Sequence, residues 1–189
     1  LPEAPPRHDH LLVDFRFKPL EAIGGDFFSF NTLHEHGIGV FIGDVAGHGV
    51  SAALFLTLLR SISDRLNAGR GTDPSRYIQD LNGDLAGGGV LFFISALYGY
   101  FDFAKSGAAF RFAKGGHTPP ILYRSADRSA WILTSEGMPV GLSGTALFQE
   151  ITIDIEPGDR IYVYTDGIIE TRNEKGDMIE AEGLMDSII

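Results

Sequence analysis

The chain has 189 residues, enough for one domain with a substantial core, and with 44% hydrophobic and 21% charged residues it has the make-up of an ordinary globule. Its formal charge of −10 argues against nucleic acid as a partner, because phosphate contacts need a basic face. With no cysteine it can have no disulfide framework, thiolate nucleophile or cysteine zinc site, and no apolar run approaches a membrane span, so a cytoplasmic protein without a membrane partner is expected.

Residues 1–10 open with Leu1-Pro2-Glu3-Ala4-Pro5-Pro6-Arg7 and read as a linker remnant, since proline-rich segments are stiff and cannot join a sheet. Another domain is expected before them. Leu11 to Phe17 alternates apolar and polar residues, which predicts a half-buried strand ended by Pro19. Phe27 to Leu33 and Gly37 to Gly43 predict two strands of a hairpin, joined by the polar turn His34-Glu35-His36-Gly37. Beyond them Ala53, Leu56, Leu59, Ile62 and Leu66 recur at three- and four-residue intervals, so Val50 to Leu66 predicts a helix with one face to bury and Gly69 as its cap. Asp73-Pro74 starts a second helix, with Asp73 as N-cap, that runs to about Leu85 before Gly87-Gly88-Gly89 breaks it.

Val90 to Phe103 is almost wholly apolar and predicts one long strand buried on both faces, with Ala108 to Ala113 paired to it. Shorter strands are expected at Ile121–Tyr123, Ala130–Leu133, Phe148–Ile155 and Arg160–Tyr164. The clearest reversal is Glu156-Pro157-Gly158-Asp159, and a last helix begins near Glu180. Many antiparallel strands with helices inserted in two places indicate an α+β layered domain.

Three aspartates share one local design, a carboxylate set in glycine at the end of an apolar strand. Asp26 follows Gly24-Gly25 and opens a strand. Asp44 follows Ile38 to Gly43 and enters the turn Gly47-His48-Gly49. Asp166 closes the run Ile161 to Thr165 and precedes Gly167. Rigidly held carboxylates of this kind suit hard divalent cations, which take carboxylate and carbonyl oxygens. The competing phosphate-loop, dinucleotide and nucleophile-elbow motifs are absent, and His34 and His36 lack the spacing of a zinc helix, so they are expected to be solvated turn residues.

Five blocks in order resemble the metal-dependent protein phosphatases of the protein phosphatase 2C type, in their bacterial branch that regulates sporulation and sigma factors. They are Gly24-Gly25-Asp26, Gly43-Asp44-Val45-Ala46-Gly47-His48-Gly49 with Ser51-Ala52-Ala53, Gly116-His117-Thr118-Pro119-Pro120, Gly137-Met138-Pro139-Val140-Gly141, and Tyr164 through Glu170. The resemblance implies an αββα sandwich, two packed antiparallel sheets flanked by helices, with metals in a cleft at one edge between the sheets. It implies a hydrolase using two Mn²⁺ or Mg²⁺ ions to remove phosphate from phosphoserine or phosphothreonine. The metal residues would be Asp26, Asp44, the carbonyl of Val45, and Asp166, with Asp44 bridging both ions and His48, close to Asp44, able to donate a proton to the leaving oxygen or to orient a water. His117 would support the site from beneath, and Thr165 and Glu170 would orient Asp166.

The implied substrate is a phosphorylated regulatory protein, an anti-sigma-factor antagonist, and the implied upstream domain is a sensor or receiver module, as in a response regulator. Two departures matter. Ser29 stands where the family commonly has a second acid, and the family's last strand, with a further aspartate ligand, is expected beyond Ile189, so the phosphatase domain over 11–189 is expected to lack its C-terminal strand. These departures keep a second function open, a phosphatase-like docking module with little or no catalysis.

Overall fold

In the computed structural model the described residues are 2–18, 24–33, 37–45, 49–87, 93–105, 107–172 and 176–189. The strands β1 (Asp26–Leu33), β2 (Gly37–Val45), β3 (Ile94–Lys105), β4 (Gly107–Gly115) and β7 (Glu150–Ile155) form a five-stranded antiparallel sheet in the order β1-β2-β3-β4-β7. The shorter strands β5 (Ile121–Tyr123), β6 (Ala130–Ile132) and β8 (Arg160–Tyr162) form a three-stranded antiparallel sheet in the order β6-β5-β8. The helices are α1 (Val50–Arg70), α2 (Pro74–Gly87), the single turn α3 (Asp166–Ile169) and α4 (Glu180–Ile188). Two antiparallel sheets with flanking helices are the α+β arrangement expected from the sequence.

Strand alternation explains the layers. Along β3, Ile94, Ala96, Tyr98 and Tyr100 point to one side, where they join Phe55 and Leu59 of α1 and Tyr77 and Leu81 of α2 in one core. Leu97 and Phe101 point to the other side and meet Leu122 of β5 and Ile161 of β8 in a second core between the sheets. A central strand buried on both faces reads as a continuous apolar run, and burial of each large side chain contributes about 1.5–3 kcal/mol. The first core is keyed by Tyr77 and Tyr98, whose rings stack at 3.8 Å with 7° between their planes. Both hydroxyls are satisfied, Tyr98 donating to the Gly71 carbonyl at 2.8 Å and Tyr77 sharing a 2.7 Å hydrogen bond with Ser63.

The Asp73 carboxylate accepts from the Arg76 amide at 3.0 Å, the expected cap of α2. The Glu156–Asp159 reversal closes through the Asp159 amide to the Glu156 carbonyl at 3.0 Å. Buried Asn82 of α2 clamps the 137–143 segment, accepting from the Gly141 amide at 2.8 Å and donating to the Ser143 carbonyl at 2.9 Å. Helix α4 packs against β6 and α3. Among the described residues no helix is long and apolar enough to cross a membrane.

Several expectations change. Leu11 to Phe17 alternates in exposure but joins no sheet. Its apolar side chains lie over the rings of β1 instead, with Phe15 edge-on to Phe28 at 5.0 Å, so packing rather than a ladder sets the period. Helix α1 runs past Gly69 to Arg70 and is capped at Gly71. Its buried face is centred on Ala52, Phe55, Leu59 and Leu66, with Leu56 and Ile62 only partly buried. The strand expected to run to Tyr164 ends at Tyr162, and Asp166 begins a helical turn. The turn residues His34, Glu35 and His36, and the start of the long strand at Val90 to Phe92, lie outside the described residues.

Candidate functional site

Asp26 and Asp44 are directly paired in the β1–β2 ladder, and Asp44 is paired in turn with Ser95 of β3. The three residues form one row across the sheet. Alternation sets its face, because Val40 and Ile42, which precede Asp44 by four and two residues, lie in the core between the sheets. The row therefore faces the second sheet. From that sheet, β8 leads through Tyr164 and Thr165 to Asp166, the exposed first residue of α3.

Gly25 allows the close packing behind Asp44. Its carbonyl accepts from the Val45 amide at 3.2 Å, and a Cβ at this position would lie 2.6 Å from both Asp44 Oδ1 and the Val45 carbonyl oxygen. Those two oxygens thus converge on a backbone that has no room for a side chain. Gly49, at φ +80°, supplies the left-handed turn that lets the chain enter α1.

The acids act on one another. Burial pushes the Asp44 carboxyl up to about 6, with repulsion from Asp26 and then Asp166 adding to it. Burial also raises Asp26; a hydrogen bond from Thr165 opposes the shift and the charge of Asp166 reinforces it. None of the ion pairs among the described residues reaches these carboxylates. The result is a concentration of negative charge that no ion pair among the described residues compensates.

Between the acids lies a cleft of about 250 Å³, lined by Asp44, Asp166, Ser95, His117, Phe93 and Pro139. His117 is buried, and its Nδ1 lies 3.0 Å from Ser95 Oγ. Burial and then the nearby charge of Lys114 bring its pKa down to about 4, against a smaller opposing effect of the Tyr164 carbonyl, so the ring is neutral at physiological pH. Its Nε2 is buried without a partner of hydrogen-bonding geometry. The neighbouring Thr118 hydroxyl donates to the Tyr164 carbonyl, and Thr165 Oγ1 donates to Asp26 Oδ2 at 3.3 Å.

The sequence-derived residues thus fall out as follows. Asp44 and Asp166 line one cleft, Asp26 is paired with Asp44 in the ladder beside it and lies within reach of the charge of both, and Val45 is buried with its carbonyl beside Gly25. His48 lies outside the described residues. Thr165 bonds Asp26 rather than Asp166, and Glu170 is exposed and donates its amide to the Asp166 carbonyl at 2.9 Å. Ser29 is an odd number of residues along β1 from Asp26 and faces the helical side, so strand alternation keeps it out of the cleft. Among the described residues no three acid or histidine side chains close to the spacing of an assembled metal site. Two carboxylates face each other, and the third stands across the cleft within reach of their charge.

Ser95, Phe93 and Pro139 were not among the expected site residues. Ser95 carries a faint signal, as the one hydroxyl-bearing aliphatic residue in the run from Leu91 to Phe103. Its place in the row depends on register, which no local pattern displays.

The chain is similar to proteins already known. The family model described as Stage II sporulation protein E (SpoIIE) matches residues 34–189. Phosphoserine phosphatase RsbU of Bacillus subtilis (strain 168) is 27% identical over 172 residues, covering 90% of this chain and 50% of RsbU. The structure of the RsbU and RsbW domains of Rv1364c from Mycobacterium tuberculosis superposes with a TM-score of 0.72 at 27% identity, over 90% of this chain and 46% of that one. The SiaA-PP2C domain of Pseudomonas aeruginosa shares the fold, with a TM-score of 0.77 at 21% identity, over 89% of this chain and 67% of that one. The chain spans half or less of the length of the curated relatives it matches.

Proposed function

This chain belongs to the Stage II sporulation protein E (SpoIIE) family, and on that premise we propose that it is a metal-dependent serine/threonine protein phosphatase. The observation that carries the reading is the direct opposition of Asp26 and Asp44, with Asp166 acting on both across the cleft. Like charges placed opposite each other in a ladder are destabilising. Their opposition, half-buried and without an ion pair among the described residues, makes sense if a cation belongs among them. The donor set is all oxygen, which suits Mg²⁺ or Mn²⁺.

In this reading Asp26, Asp44, the Val45 carbonyl and Asp166 hold two divalent ions. When bound, such a pair supplies an activated water and neutralises charge on the phosphoryl group. The residues of the chain do the rest. Asp44, central in the row between Asp26 and Ser95, lies within reach of the charge of both Asp26 and Asp166, and Gly25 leaves room for the Val45 carbonyl beside its carboxylate. Neutral His117 adds no positive charge of its own to a cleft built for metal. Phe93 and Pro139 form an apolar wall beside the acids against which a substrate segment can rest. His48, four residues after Asp44, is assigned the proton that goes to the leaving serine oxygen.

The substrate we propose is phosphoserine on a bacterial anti-sigma-factor antagonist, acted on in the cytoplasm; the name of the relative RsbU, a phosphoserine phosphatase, supports the bond type. One observation favours the docking reading, namely that no three ligands close among the described residues. Hydrolysis of a small aryl phosphate and of a phosphoserine protein by the full-length protein separates the two. Manganese-dependent release of phosphate that stops on chelation and on Asp44→Ala supports the phosphatase. Activity that survives chelation, or none with either metal, supports docking.

A further inference from the structure

The cleft is bounded by a closed circuit of contacts that passes through uncharged side chains. It starts in the large sheet with the row Asp26, Asp44 and Ser95. It continues from Ser95 Oγ to His117 Nδ1 at 3.0 Å, then along the backbone to Thr118, whose hydroxyl donates to the Tyr164 carbonyl. The next residue, Thr165, returns to Asp26 at 3.3 Å. Asp166 follows directly. His117 and Thr118 lie on the crossover between β4 of one sheet and β5 of the other, so this crossover grips the sheet that carries Asp44 and the segment that carries Asp166.

The physical need for such a grip follows from how the sheets meet. The contact between them is apolar, formed by residues such as Leu97, Phe101, Phe110 and Ile161. Apolar burial is non-directional and fixes a separation poorly along the plane of contact. Hydrogen bonds from one short segment to both sides fix it by direction as well as distance. His117 and Thr118 contribute no formal charge to the cleft at neutral pH, and His117 is buried at 4% exposure, so its ring has little room to leave Ser95.

We propose that His117 and Thr118 are positioning residues that set the gap between the Asp26–Asp44 pair and Asp166, and through it the affinity of the cleft for a divalent cation. The inference rests on the metal reading given above. It assigns Thr118 a role that the sequence did not, and gives the buried histidine a specific task.

The test is binding of manganese alone to the full-length protein, by titration calorimetry, with thermal melting in chelator as the stability control. Groups that orient metal ligands typically change affinity by about 10–100-fold when lost. Thr118→Val, nearly isosteric but without the hydroxyl, weakens Mn²⁺ binding by about tenfold or more, and Thr118→Ser restores it. His117→Leu weakens binding in the same way. Thr118→Val binding manganese as tightly as wild type overturns the proposal, as does Thr118→Ser binding as weakly as the valine variant, since packing of the methyl group would then be the cause. Wild-type protein that binds no manganese overturns the metal reading itself, a distinct outcome from wild-type binding left unchanged by the substitutions.

Discussion

Asp26 and Asp44 stand at the same register on adjacent antiparallel strands, facing the second sheet, with no ion pair of the described residues to neutralise either. Opposed like charges cost about 0.2–1 kcal/mol in such a position. Asp44→Asn therefore raises the thermal midpoint of the chelated protein while removing phosphate release. A direct ligand should count for more than the groups that orient it, so activity falls by roughly a hundredfold or more. Melting curves in chelator and a phosphate-release assay check the two halves, and a destabilised Asp44→Asn protein would contradict the electrostatic account.

The pH dependence of the metal-free protein follows from the same pair. Asp44 holds its proton up to about pH 6 in the native state, whereas an unfolded aspartate releases it near pH 4, at about 3.9. Between those values the native state binds the proton more strongly, so the contribution of Asp44 to stability falls as pH rises through the window and is level above it. Asp26, also raised, adds in the same direction. The difference in melting temperature between wild type and Asp44→Asn, measured in chelator from about pH 4 to pH 7, should shift against the wild type as pH rises. A difference that is flat, or moves the other way, contradicts this.

Gly25→Ala places a methyl group 2.6 Å from both Asp44 Oδ1 and the Val45 carbonyl oxygen. One of these oxygens must move, and overpacking of this kind costs about 1–3 kcal/mol. Manganese affinity falls with it, by about tenfold on the scale of displaced ligand geometry. Urea unfolding and calorimetry on the same variant measure both effects.

Asn82→Ala leaves the Gly141 amide without its partner and takes from the Ser143 carbonyl one of its two donors, the Ala146 amide at 3.1 Å remaining. Losing hydrogen bonds at a buried site costs about 1–3 kcal/mol. The same segment carries Pro139 of the cleft wall and Val140, whose backbone exchanges two 2.9 Å hydrogen bonds with Ile94. The variant should therefore lose stability in urea and show a raised KM for a phosphoserine protein with kcat less affected.

The acids were legible in the sequence because each carries local punctuation, glycine beside it and an apolar strand leading to or from it. Asp26, Asp44 and Asp166 are singled out that way, whereas the long central strand is legible from its apolar run and the cap of α2 from Asp73-Pro74. Ser95 was hidden, because a single serine in an apolar strand gains meaning only when register sets it beside Asp44. The Leu11–Phe17 segment misleads because edge-on packing of Phe15 against Phe28 imposes the same alternation that a ladder would. The buried face of α1 was placed off its centre, since that helix has apolar residues on several sides, including Leu54 and Leu58, which are exposed. Helix α3, four residues long, is barely one turn, too short for the helical period to repeat and show in the sequence.

Diffraction from crystals grown with manganese, recorded at the metal's absorption edge, tests the central claim most directly. The account predicts anomalous peaks in the cleft in contact with the carboxylates of Asp26 and Asp44 and the carbonyl of Val45, with Asp166 drawn toward them. Crystals grown in excess manganese that show no metal between these acids, or place it on another surface, would contradict it.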